Sequence, residues 1–184
     1  MLETIILAML VAKLKGYKPS QLLKAWPVYL IIMFEIIYIF LQASTFLGNY
    51  SLIKYSSLIE KPFLFIFFIL ILIYKQYVSA LIGSIFMLIG GILNNIVIAA
   101  NSGKMPVFPT LSYFTGYVKQ DLWRNVNDIH TLGTAGTNLK FLSDIFDLGY
   151  CIMSIGDIFI RVFVFLVIFN TIKQLTLINY KKRA

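Results

Sequence analysis

YVSALIGSIFMLIGGILNNIVIAA, running from Tyr77 to Ala100, is the stretch that decides the fold. It is apolar over more than the roughly 20 residues a helix needs to cross the hydrocarbon of a bilayer. A stripe of small residues, Ser79, Ala80, Gly83, Ser84, Gly90 and Gly91, runs along it, and small residues let membrane helices approach closely. The run then turns polar at Asn94, Asn95 and, just beyond, Asn101. Asn94 and Asn101 lie two turns apart on one helical face.

Four further apolar segments flank it: Leu2–Leu14, Ala25–Leu47, Pro62–Tyr74 and Tyr150–Asn170. The second and last are long enough to span, whereas the first and third need tilt or local bilayer thinning. Composition agrees. Of the 184 residues, 59% are hydrophobic and only 13% charged, about half the charged share of a soluble domain. Mean hydropathy is +0.84. Lipid leaves no partner for unpaired backbone groups, so the spans must be helices. The expectation is an all-α membrane bundle of about five transmembrane segments forming a single domain over residues 1–184.

The net charge of +8 reads as orientation and contact with anionic lipid rather than nucleic-acid binding, because the basic residues cluster beside apolar segments. Lys13, Lys15, Lys18, Lys24, Lys75, Lys173, Lys181, Lys182 and Arg183 fall on one side if five segments cross. Lys54, Lys61, Lys104, Lys119, Arg124 and Lys140 are spread over longer loops on the other. The dense side is predicted to be cytoplasmic, which puts the N-terminus outside and the C-terminus inside. No basic stretch precedes Leu2–Leu14, so a retained first helix is expected rather than a cleaved signal. With one cysteine, Cys151, and one histidine, His130, neither an internal disulfide nor a Cys/His metal cluster is expected; Cys151 reads as packing and His130 as a loop cap. No Walker A loop is present and no cofactor is expected.

Residues 101–149 form one long outer loop. Tyr113, Phe114, Tyr117, Val118, Leu122 and Val126 recur at helical spacing, as do Leu139, Phe141, Leu142, Ile145, Phe146 and Leu148. Two amphipathic helices, over 112–126 and 138–148, are predicted to lie on the outer surface or cap the bundle, with a turn at Gly133–Gly136 between them. Gly103, Met105, Pro106, Val107 and Pro109 read as a shaped turn outside the fourth segment.

Polarity at depth is the functional signal. Glu35 sits near the middle of the second segment, with Tyr38, Gln42 and Thr45 on its face. Ser154, Asp157 and Arg161 share a face of the last. Ionised groups in hydrocarbon cost at least about 2.5 kcal/mol each, so they are expected to face one another or water. The site predicted from this is an outward-facing polar one of Glu35, Asn94, Asn95, Asn101, Ser154, Asp157 and Arg161, binding a cation, a proton or a polar solute with a basic group. The structural alternatives are an Asp157–Arg161 pair neutralised within one helix and asparagines acting as interhelical glue.

Asn101-Ser102-Gly103-Lys104-Met105-Pro106-Val107 resembles the N-x-G-x-M-P-V element of an uncharacterised family of small bacterial membrane proteins, and Ser154-Ile155-Gly156-Asp157 its S-x-G-D element. That resemblance covers most of the chain and implies a bacterial envelope protein without an assigned activity. Gly90-Gly91-Ile92-Leu93-Asn94-Asn95 resembles more remotely the GG-x-x-G-N stretch of lipoprotein signal peptidases, and Gly156-Asp157 their second catalytic aspartate motif. This implies Asp157 as catalytic in an outer-leaflet aspartic hydrolase. Ile98 stands where the first catalytic aspartate of that family would be, and Glu35 or Asp144 would have to substitute for it. The function read first is therefore a non-enzymatic transport or receptor-like subunit in the lipid bilayer, acting as a homo-oligomer or with other membrane subunits on a small solute or peptide. The hydrolase and a membrane assembly factor are the alternatives.

Overall fold

The computed structural model describes residues 1–119, 122–125 and 129–181, apart from the side chains of residues 53, 54, 56–58, 60, 61, 124 and 125. Helices dominate: α1 (Leu2–Leu14), α2 (Trp26–Phe46), α3 (Ser56–Ile73), α4 (Tyr77–Ala100), the short α5 (Leu111–Thr115) and α6 (Leu122–Asn125), and α7 (Ile155–Lys181). Among the described residues α2, α4 and α7 are long and apolar enough to cross a membrane, and α3 carries a shorter apolar stretch, Pro62–Ile73. The fold is an all-α membrane bundle. Val126, Lys182 and Arg183 of the sequence reading lie outside the described residues, as do the side chains of Lys54, Lys61 and Arg124.

Two compact units partition the chain. The first contains Met1–Ile37, Ile59–Met87 and Arg161–Ala184. Its core is aromatic and β-branched. Phe63 and Phe67 meet edge-on with centroids 5.3 Å apart, Phe67 meets Phe163 at 6.3 Å, and Val164, Val167, Ile168 and Ile172 are fully buried. Gly83 lies against Phe163, where a Cβ would come within 3.0 Å of backbone, so the small-residue stripe serves helix approach there. Pro62–Tyr74, apolar throughout, is exposed on one side only: Phe65 is 76% exposed whereas Phe63, Phe67 and Leu70 are buried.

The second unit contains Tyr38–Leu58 and Leu88–Ile160. Here the loop departs from its predicted form. Gly116 adopts φ 78°, a left-handed conformation that ends α5 after five residues. Val118 and Leu122, whose spacing suggested one long helix, pack instead into a small cluster with Tyr50. In 138–148 a single 3-10 turn, Lys140–Leu142, is followed by extended chain. Phe146 there pairs with Met153 a few residues on, and Asp144 bridges to Val107, pairings that helical periodicity does not reveal. β1 (Met105–Val107) pairs in parallel with β2 (His130–Leu132), and β3 (Phe146–Asp147) pairs antiparallel with β4 (Ile152–Met153). The predicted Gly133–Gly136 turn is present, closed by Thr137 donating its backbone N–H to the Thr134 carbonyl at 3.2 Å.

Candidate functional site

In the second unit the start of α7 is built as a reciprocal cap. Ser154 precedes the helix, and its Oγ accepts from the Asp157 backbone N–H at 3.0 Å. The Asp157 carboxylate accepts from the Ser154 backbone N–H at 2.9 Å. This is a capping box, which satisfies two backbone donors that a helix start otherwise leaves open. Asn94 on α4 completes it. Its amide Nδ2 donates to Asp157 Oδ1 at 2.9 Å, and its Oδ1 accepts from Ser154 Oγ at 2.8 Å. The two backbones nearly touch beside this network. A Cβ on Gly156 would fall 2.1 Å from Asn94 Oδ1 and 2.5 Å from the Gly90 carbonyl, and one on Gly90 would fall 2.3 Å from the Gly156 carbonyl. Glycine is the side chain that fits at both positions. The S-x-x-D pattern ahead of an apolar run was the sequence signature of this cap; depth alone drew attention to Asp157 and hid it.

The remaining predicted site residues divide. Asn95 is exposed. Asn101 holds the loop to the end of α4: its Nδ2 donates to the Val97 and Asn138 carbonyls at 2.9 and 3.0 Å, and its Oδ1 accepts from the Asn138 N–H at 2.9 Å. Glu35 and Arg161 belong to the first unit. The partner of Arg161 is Glu3, whose Oε2 accepts from the guanidinium at 2.7 Å, and not Asp157, whose oxygens are taken up by the capping box. Glu3 escaped the sequence reading because it sits at the edge of an apolar run. A carboxylate in such a run is the signal that would have found it. Glu35 is 7% exposed. It lies in the electrostatic field of Glu3, Arg161 and the terminal ammonium, which itself approaches Glu3 Oε2 at 3.2 Å.

The buried side-chain atoms left without a hydrogen-bond partner among the described residues are Glu35 Oε1, Gln76 Oε1, Trp123 Nε1 and Asp144 Oδ1. Asp144 lies in the loop at 4% exposure. Burial pushes its carboxyl up to about 7; the negative charge of Asp157 adds to the rise and His130, whose Nε2 is 3.7 Å from Oδ2, opposes it. Asp147 goes the other way. Burial works to raise it, but the Ser112 hydroxyl and backbone N–H and the Thr110 and Gly149 N–H groups donate to it and hold it below the ordinary carboxylate range. Among the described residues no group of three or more His, Cys, Asp or Glu could hold a metal ion.

The model of DUF5317, a family of unknown function, matches residues 20–169. The chain belongs to that family. The match takes in α2 through most of α7, so the Asn94–Ser154–Asp157 cap, Glu35, Arg161 and Asp144 all fall within the DUF5317 region, whereas Glu3 lies before it. No curated protein and no solved structure matches the chain.

Proposed function

We propose that this DUF5317 protein is a multi-pass bacterial cell-membrane protein, non-enzymatic, that binds a proton, a cation or a basic solute at an intramembrane carboxylate and serves as a transport or receptor-like subunit. Five segments cross, with the N-terminus outside and the C-terminus cytoplasmic, and the Asn101–Val107 and Ser154–Asp157 stretches are the marks of its bacterial relatives. The reading rests on Glu35. A buried acceptor without a donor costs about 1–3 kcal/mol, and more when charged, and an intramembrane carboxylate is by default a functional group. Glu35 Oε1 is such an acceptor, near a Glu3–Arg161 pair that already neutralises itself. A proton on the carboxyl removes the charge, and a bound cation coordinates the open oxygen.

The test is reconstitution into liposomes loaded with a pH-sensitive dye. The wild type should pass protons or exchange them for sodium or potassium, and dicyclohexylcarbodiimide should leave a mass adduct on Glu35. E35Q should lose the adduct and lower the flux by about tenfold with thermal unfolding unchanged. Equal flux in wild type and E35Q, with the adduct on another residue, removes the reading.

A second reading, an outer-leaflet aspartic hydrolase, draws support from Asp144, whose carboxyl feels the charge of Asp157. It needs both carboxylates: D144N and D157N should each abolish cleavage of a lipid-anchored peptide, and cleavage that survives either change ends it.

A further inference from the structure

The loop of the second unit carries an open groove of about 800 Å³, within the about 300–1,000 Å³ of small-molecule sites. Phe108, Tyr113, Leu132, Leu139, Phe141 and Ile145 give it apolar walls, and Lys140 is the charged residue lining it. The ammonium of Lys140 lies 4.5 Å from the centroid of the Phe108 ring, which places one cation at the edge of an apolar trough. Leu139 is held at φ 52°, a left-handed conformation that a non-glycine residue keeps where surrounding structure enforces it. The enforcing contact is the neighbouring Asn138. It donates its N–H to Asn101 Oδ1 and its Nδ2 to the Ala100 carbonyl, each at 2.9 Å, and its carbonyl accepts from Asn101 Nδ2 at 3.0 Å. Those three bonds staple Asn138 to the last turn of α4, a membrane helix. Leu139, Lys140 and Phe141 follow directly, so the groove wall stands at the depth where α4 leaves the hydrocarbon and lipid headgroups begin.

We propose that this groove is a lipid site: it takes an acyl chain of an anionic phospholipid from the leaflet at which α4 ends and α7 begins, with the phosphate on Lys140. An apolar trough with a single cation at its edge is complementary to an amphiphile with one anionic head, and headgroup-level lysines favour anionic lipid. Phe141 and Tyr113, 61% and 41% exposed, would be covered by the chain. The site is separate from Glu35 and stands or falls without it.

The full-length protein in phosphatidylcholine nanodiscs is doped with a phosphatidylglycerol or a phosphatidylcholine bearing a diazirine in its acyl chain, irradiated, digested and mapped by mass spectrometry. Labelling is expected at Tyr113, Leu132 and Phe141, stronger with phosphatidylglycerol. K140E should abolish that headgroup preference. I145W, which fills the trough, should reduce groove labelling by both probes about tenfold and leave labelling of α4 unchanged, which also reports that the variant is folded. Wild-type labels confined to the spanning helices overturn the proposal, as does groove labelling that I145W leaves intact. A headgroup preference that survives K140E overturns the assignment of the phosphate to Lys140.

Discussion

Asp157 and Glu35 are both carboxylates within long apolar helices, and depth in the apolar run alone treats them alike. Their surroundings do not. Asp157 has one oxygen on the Asn94 amide and the other on the Ser154 backbone, within a cap that starts α7. Glu35 is buried with an oxygen that meets no donor among the described residues. The first arrangement uses the charge to complete backbone hydrogen bonding, and negative charge in the first turn of a helix is favourable in its own right. The second leaves a desolvated acceptor open. A carboxylate at depth is therefore not one kind of evidence. Whether its lone pairs are spoken for decides between scaffold and site.

If Asp157 belongs to the scaffold, the largest effect should come from disturbing the crossing beside it. An alanine at Gly156 brings a methyl group to 2.1 Å from Asn94 Oδ1 and 2.5 Å from the Gly90 carbonyl. The Asn94 side chain could swing away, but the carbonyl belongs to a helix and cannot. G156A should therefore destabilise by about 1–3 kcal/mol, the usual cost of overpacking, read as a lowered unfolding temperature in detergent. G91A, where a Cβ meets nothing within 4 Å, is the matched control. Equal unfolding temperatures for the two variants would break the view that this cap and crossing hold the second unit together.

The next effect compares the two carboxylates directly. D157N leaves one oxygen for two donors, so either the Asn94 amide or the Ser154 N–H loses its acceptor. The expected loss of stability is about 1 kcal/mol. E35Q removes a charge whose Oε1 had no donor, and its stability should match or exceed wild type, since a buried ionised group is costlier than a neutral one. The contrast is sharpened by activity: D157N should retain flux in proportion to folded protein, and E35Q should lose it while folded. The opposite pattern would exchange the roles assigned to the two residues.

Much of the bundle was legible before any coordinates. Tyr77–Ala100 is α4 to the residue, and Ala25–Leu47 contains α2 with one residue to spare at each end, because hydrocarbon imposes both length and apolarity. The last span was misplaced at both ends for a physical reason. It begins at Ile155 rather than Tyr150 because the capping box fixes its start. It runs past Asn170 to Lys181 because Asn170, Thr171 and Thr176 return their side-chain donors to carbonyls one turn back, at 2.9, 2.8 and 2.8 Å, and so pass as apolar. The loop was read least well. Its helical spacing was real, but Gly116 ended the first helix and the pairing of β3 with β4 took the end of the second stretch. Of the predicted site, Asn94, Ser154 and Asp157 do meet. The partner of Arg161 was not foreseeable from spacing, since Glu3 lies 158 residues away in sequence.

Asp144 carries the smallest predicted effect and tests the rule on an intermediate case. Like Glu35 it is buried with an unmatched oxygen; like Asp157 it belongs to the second unit. Its carboxyl rises from an ordinary 3.8 to about 7, chiefly through burial. Between those values the folded chain holds a proton that the unfolded chain has released. The stability this contributes is complete below about pH 4 and is lost as pH climbs to about 7. Asp147, held below its ordinary range, has the opposite sign: its contribution is present above that range and fades only in acid. D144N removes the first dependence and leaves the second. At pH 8 the variant should be more stable than wild type by on the order of 1 kcal/mol, and the gap should close as pH is lowered toward 4, followed by unfolding temperature across that range. Because Asp157 adds to the rise, D157N should move the wild-type transition to lower pH. A transition that does not move would mean that the capped carboxylate exerts no influence beyond its own cap.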